Sequence, residues 1–149
     1  MAYEDNSNKI EIVHKELEFI QGCIERMARN SFMIKGWVIV IIIAFLGFVG
    51  SQKDIDNIIS MFIFGPVFIL WGLDGYFLYL ERCYRKLYKE RANIRVYPQT
   101  TVYRDYYDLN YTVIKDEKIL KAVFSKTLMP FYLIVIAILI IIIYIGVIK

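Results

Sequence analysis

Apolar and polar positions along this chain fall in long blocks rather than alternating singly. A helix needs about 20 apolar residues to cross a bilayer. Three blocks reach that length: residues 31–50, 57–80 and 128–148. The first carries Lys35 near its start, the second carries Asp74, and the third has no charge before Lys149. Ahead of the first block, Ile10, Val13, Leu17, Ile20, Ile24 and Met27 recur at steps of 3 and 4. That is the spacing of a helix buried along one stripe. With no proline to interrupt it, the pattern predicts one helix from about Asn8 to Gly50. At 1.5 Å per residue such a helix is roughly 64 Å long, twice a hydrocarbon core of about 30 Å. Its first half should therefore protrude as a stalk, with Gly22 as a packing notch or a bend.

The second block behaves likewise. Leu80, Cys83 and Leu87 continue its stripe past Glu81, which predicts an exit helix ending near Ala92 or Asn93. A short turn, 51–56, makes the two helices antiparallel neighbours. From 94 to 113 the helical pattern fails in a stretch holding Pro98, Tyr97, Tyr103, Tyr106, Tyr107 and Tyr111. After Asp116 a short amphipathic helix is expected, with Ile119, Leu120, Val123 and Phe124 on one face. Pro130 fits the first turn of the last block, where a missing N–H costs little.

Composition sharpens the class. The chain has 149 residues and is 58% hydrophobic, against roughly 45–50% for an ordinary soluble domain. Disorder needs the opposite balance. The apolar blocks leave too little chain to enclose an enzyme site. Two cysteines and one histidine do not make a conventional zinc site. No HExxH, GxSxG or P-loop pattern occurs. We therefore expect no enzyme, no cofactor and no metal. The expected fold class is an all-α integral membrane protein with three transmembrane helices, the first two extending into the cytoplasm as an antiparallel stalk.

Charge gives the orientation. Lys9, Lys15, Arg26, Arg29 and Lys35 precede or begin the first block, and eleven Lys/Arg lie between Arg82 and Lys126. The turn at 51–56 has only Lys53, and only Lys149 follows the last block. Basic excess stays inside. The N-terminus (1–30) and the 81–127 segment are expected in the cytoplasm, the C-terminus outside a bacterial inner membrane. No cleavable signal peptide is visible. Cys23 and Cys83 fall on the reducing side, so no disulfide is expected.

Candidate chemistry is sparse. Asp74 is the sharpest site, because an ionisable residue inside a span is a functional hypothesis by default. By residue count Lys35 lies about 22 Å from Gly50, and Asp74 about 25 Å from Asn57. The two opposite charges therefore share a depth. Pairing positions that sum to about 109 also matches Arg29 with Glu81, Glu25 with Arg85 and Glu18 with Arg91. Gly65 and Pro66 form a candidate kink or hinge, since Pro66 removes the hydrogen bond to the carbonyl of Phe62. Gly72 and Gly75 suit close helix approach. Arg95, Tyr97, Tyr103, Arg104, Tyr106 and Tyr107 are candidate contacts for a small ligand or a protein partner. Nucleic acid is disfavoured, because Asp105 and Asp108 dilute the field.

Three groups of residues carry a family resemblance. They are Leu17-Glu18-Phe19-Ile20-Gln21 with Arg26-Met27, Asn30-Ser31-Phe32 and Lys35-Gly36-Trp37; Trp71-Gly72-Leu73-Asp74-Gly75-Tyr76-Phe77-Leu78 with Glu81-Arg82 and Leu87-Tyr88; and Phe124-Ser125 with Pro130-Phe131-Tyr132. Together they resemble a family of small bacterial inner-membrane proteins, mostly uncharacterised. Small proteins of this kind occur beside anti-phage systems. That association, with the need for a ring of copies if three spans are to enclose a wide path, gives the expectation of an oligomeric membrane effector that permeabilises the membrane on a cytoplasmic signal. The alternative is a non-conducting anchor that recruits a soluble partner.

Overall fold

The computed structural model describes residues 2–51, 62–96, 109–111 and 117–148, with no strand among them. The described elements are all helices: α1 (Ala2–Ser51), α2 (Phe64–Val96), α3 (Ile119–Val123) and α4 (Met129–Ile148). The 50 residues of α1 form one helix, about 75 Å long at 1.5 Å per residue. It runs unbroken through Gly22. A Cβ there would meet nothing within 4 Å, so Gly22 is not a packing notch.

Among the described residues one helical stretch, within Glu11–Phe48 of α1, is long and apolar enough to cross a membrane. The apolar run of α4 over Met129–Tyr144 is shorter. Residues 57–61, the start of the second expected crossing, lie outside the described residues, as does the turn at 52–56. Regular helix begins at Phe64, after a turn at Ile63. Phe62 is also helical, so the turn at Ile63 interrupts helix just ahead of Gly65 and Pro66, which sit in the first turn of α2. The proline's missing N–H falls where a helix leaves N–H groups unpaired in any case.

The α1–α2 pair is antiparallel, as the residues in contact show. Glu16 meets Arg91 and Lys35 meets Asp74. Two apolar clusters lie along the pair. The stalk cluster holds Ile20, Ile24 and Leu87, with Tyr84, Tyr88 and Leu109 against it. The second holds Val38, Ile42, Phe45 and Val67, together with Leu128, Tyr132, Val135 and Leu139. Burying one such aliphatic side chain contributes about 1.5–3 kcal/mol. Between the clusters the stripe of α1 passes through Ser31, one heptad after Ile24 and one before Val38. A polar layer thus divides the stalk core from the apolar core.

The helix α3 has only five residues, too few to persist alone. Contacts with α2 hold it. Trp71 Nε1 donates to the Val123 carbonyl at 3.2 Å, and Arg82 Nη1 donates to the Lys121 carbonyl at 3.4 Å. Only Ala122 is fully buried. Ile119, Leu120 and Phe124 are exposed, so the expected single apolar face is split: Val123 packs on α2, Phe124 keeps an edge contact with Trp71, and Ile119 and Leu120 turn outward. The turn into α4 is tied by Ser125, whose Oγ accepts the Leu128 N–H at 3.3 Å.

Lys86 and Glu117 pair at 2.9 Å beside α3. The hydrogen bond from Lys86 holds the Glu117 carboxyl below its ordinary value of 4.5, against the opposing effect of burial. A depressed carboxyl stabilises the docked form above its ordinary pKa and loses that contribution as pH falls through the lower folded value. Acidification below about 4.5 should loosen α3 by under about 1 kcal/mol. Hydrogen exchange at residues 119–123 would record it, and Lys86→Gln should flatten the dependence. An unchanged pH response in that variant would show that another group is responsible.

Candidate functional site

Asp74 is the centre of the polar layer. Its side chain is fully buried, while that of Lys35 is 27% exposed. Lys35 Nζ lies 2.7 Å from Asp74 Oδ2. Tyr132 OH donates to the same oxygen at 3.1 Å. Ser31 Oγ donates to Oδ1, and Lys35 Nζ donates in turn to Ser31 Oγ at 2.8 Å. The carboxylate therefore accepts from three donors carried by two other helices. Such a set is what a buried carboxylate requires, since an unpaired one is too costly to keep ionised.

Local sequence explains the convergence. Ser31 and Lys35 are one turn apart on α1, so both reach the same level of α2. Tyr132 sits on the stripe Leu128, Tyr132, Val135, Leu139 that α4 buries. Its ring stacks on Trp71, with centroids 5.4 Å apart and planes at 15°. Trp71 also meets Phe124 edge-on at 5.7 Å. One indole thereby ties α2 to the α3 C-terminus and to α4. Gly75 lets α3 come close: a Cβ there would stand 2.3 Å from Val123 Cγ2 and 2.9 Å from Val123 Cα. Gly72 faces open space, so of the two glycines only Gly75 serves close approach.

The expected cross-helix register holds at Lys35–Asp74 and shifts in the stalk. Arg91 pairs with Glu16 at 3.1 Å, not with Glu18. Glu16 lies four residues before Ile20, on the buried stripe, whereas Glu18 is exposed. Arg85 pairs at 2.8 Å with Glu81 of its own helix, and Glu25 accepts from Gln21 at 3.3 Å. The matches of Arg85 with Glu25 and of Glu81 with Arg29 are replaced by contacts one turn away on the same helix. Arg95 lies in the last turn of α2. Tyr97, Tyr103, Arg104, Tyr106 and Tyr107 lie outside the described residues. Tyr111, at the far end of that segment, packs on Tyr84 of the stalk at 5.6 Å. Cys23 and Cys83 are free thiols, and burial pushes the Cys83 thiol up.

Sequence reasoning missed Ser31 and Tyr132. For Ser31 a signal existed: extending the stripe by four from Met27 puts a polar residue in a core slot. For Tyr132 the apolar pattern gave none beyond its place in the Pro130-Phe131-Tyr132 block, because α4 is apolar all round and its buried face cannot be read. Tyr132→Phe keeps the stack on Trp71 and removes one hydrogen bond to a charged acceptor. It should lower unfolding stability in mild detergent by about 1.5–3 kcal/mol. No loss would mean that the hydroxyl contributes nothing to the lock.

Among the described residues no group of three or more His, Cys, Asp or Glu could hold a metal. The arrangement joins helices through a closed polar network. Comparison with protein-family models, curated proteins and solved structures finds no match.

Proposed function

We propose that this chain is a bacterial inner-membrane effector. In this reading the apolar helices lie in the bilayer, residues 2–30 and the distal part of α2 form a cytoplasmic stalk, and the Asp74 network latches the closed state. A cytoplasmic protein or small ligand acting on the stalk would open it, provided that it binds the open form better. A ring of copies is needed, because three spans cannot enclose a wide path. The observation that carries the membrane placement is the outward aspect of the apolar stretch in α1. Only 22% of its most apolar window is buried, and Phe32, Trp37, Val40 and Ile43 are exposed. A soluble monomer rarely exposes so large an apolar patch.

The latch has support of its own. A buried ion pair is weak evidence for stability, and one placed between two apolar clusters has a switch as its better-attested use. Ser31, Lys35, Asp74 and Tyr132 all fall within the blocks that carry the family resemblance, which also supplies the anti-phage context. A second reading is favoured by one observation: Asp74 is fully buried and accepts from three donors, so it faces no open path. That suits a non-conducting anchor, whose stalk recruits a soluble partner.

Native mass spectrometry of the chain in lipid nanodiscs, paired with dye release from liposomes, separates the two. The effector reading expects a ring of about four or more copies and leakage that rises in Asp74→Ala. A monomer or dimer that leaks in neither form sinks it. The anchor reading expects that exchanging the charges (K35D with D74K) preserves function and that a partner co-purifies.

A further inference from the structure

Beside the start of α4 the protein carries a basic and apolar surface that neither the latch nor the stalk uses. Lys118, Lys121 and Lys126 are all exposed. Arg82 reaches the Lys121 carbonyl at 3.4 Å from below. The acid of this group among the described residues, Glu117, is occupied by Lys86 at 2.9 Å. The field here is therefore positive. Between the lysines, Leu120 is 71% and Phe124 59% exposed. Leu120 projects away from Ala122, the residue that α3 buries against the rest of the chain, and Phe124 keeps one contact with Trp71 while the larger part of it stays exposed.

This surface is firmly held. The Trp71–Val123 hydrogen bond and the close approach at Gly75 fix α3 on α2. It also runs directly into α4, whose Leu133 and Ile134 are exposed, so its apolar residues continue an apolar helix face. Large side chains directed outward beside lysines are the pattern of a segment lying in the interface plane, with its cations at headgroup level.

We propose that the α3 turn is a binding surface for anionic phospholipid, with Lys118, Lys121 and Lys126 on the headgroup phosphate and Leu120 and Phe124 among the acyl chains. The charge complementarity selects anionic over zwitterionic lipid. The continuity with α4 selects a lipid over a soluble protein. The inference rests on the membrane placement proposed above.

The test uses the full chain in nanodiscs of mixed phosphatidylcholine and phosphatidylglycerol, with retained lipids counted by native mass spectrometry. The expected result is preferential retention of phosphatidylglycerol. Each lysine near an anionic surface is worth about a fivefold change in affinity. The triple variant K118Q/K121Q/K126Q should therefore lower retention at least about tenfold. The matching K118R/K121R/K126R variant should retain the lipid, which controls for misfolding. Lys89→Gln, on the exposed side of the stalk, should change nothing. Equal retention of both lipids, or an equal loss in Lys89→Gln, overturns the proposal while leaving the membrane placement standing. So does a triple variant that keeps its lipid but loses a co-purifying protein. A chain that does not enter nanodiscs at all overturns both.

Discussion

Lys35→Ala should lower unfolding stability by about 3–5 kcal/mol, and Asp74→Asn should cost clearly less. The asymmetry follows from where the two charges sit. Asp74 is fully buried, whereas Lys35 keeps 27% of its side chain exposed. Removing the ammonium leaves the carboxylate without its counter-charge and without a route to solvent, and breaking a buried pair from one side costs about that much. Ser31 and Tyr132 still donate to it, but neutral donors do not replace a cation. Removing the carboxylate charge instead leaves a lysine that can swing outward on its four-carbon stem. The amide that replaces it can still accept from Ser31 or Tyr132. The double variant K35A/D74N should recover much of the loss, with a coupling energy of about 1–3 kcal/mol. A denaturant series in mild detergent on the four proteins measures all of this. If Asp74→Asn proves the costlier change, Asp74 is not sequestered as described and the latch falls with it.

Two neighbouring glycines should respond to alanine with opposite signs. Gly72→Ala should stabilise the protein by about 0.5–1 kcal/mol, because alanine is the better helix former and a Cβ there meets nothing within 4 Å. Gly75→Ala gains the same propensity and collides with α3. Its Cβ would stand 2.3 Å from Val123 Cγ2 and 2.9 Å from Val123 Cα. Val123 can rotate the methyl away but cannot move its own backbone, so the whole of α3 must shift. The shift stretches the Trp71–Val123 hydrogen bond, now 3.2 Å, which contributes about 1 kcal/mol. Overpacking adds about 1–3 kcal/mol. The net loss should be about 1–3 kcal/mol and should be local. Tryptic cleavage at Lys118, Lys121 and Lys126 should accelerate while the stalk stays protected. Val123→Ala in the Gly75→Ala background should rescue only in part, because Val123 Cα remains too close. Full rescue would show that the side chain alone fills the space and that the backbones are not in contact.

Much of this architecture was written in the residue pattern. The 3- and 4-residue steps from Ile10 to Met27 specified a long first helix, because a stripe at that spacing has one face to bury. The matched depths of Lys35 and Asp74 specified their meeting, because two antiparallel helices close together in sequence have few registers open to them. What the pattern did not settle was which neighbour each charge would take where alternatives lay within a helical turn. Glu16 displaced Glu18 as the partner of Arg91 by lying on the buried stripe. Arg85 and Glu81 found each other at i, i+4 rather than crossing between helices. The turn at Ile63 places Pro66 in the first turn of α2. The polar lock itself belongs to the tertiary structure. Asp74 and Lys35 announced themselves as charges among apolar residues. Tyr132 could not, since α4 is apolar on every side and only packing decided which face turned inward. The same holds for Gly75 against Gly72: both read as small residues beside an acid, and only the path of α3 made one of them indispensable.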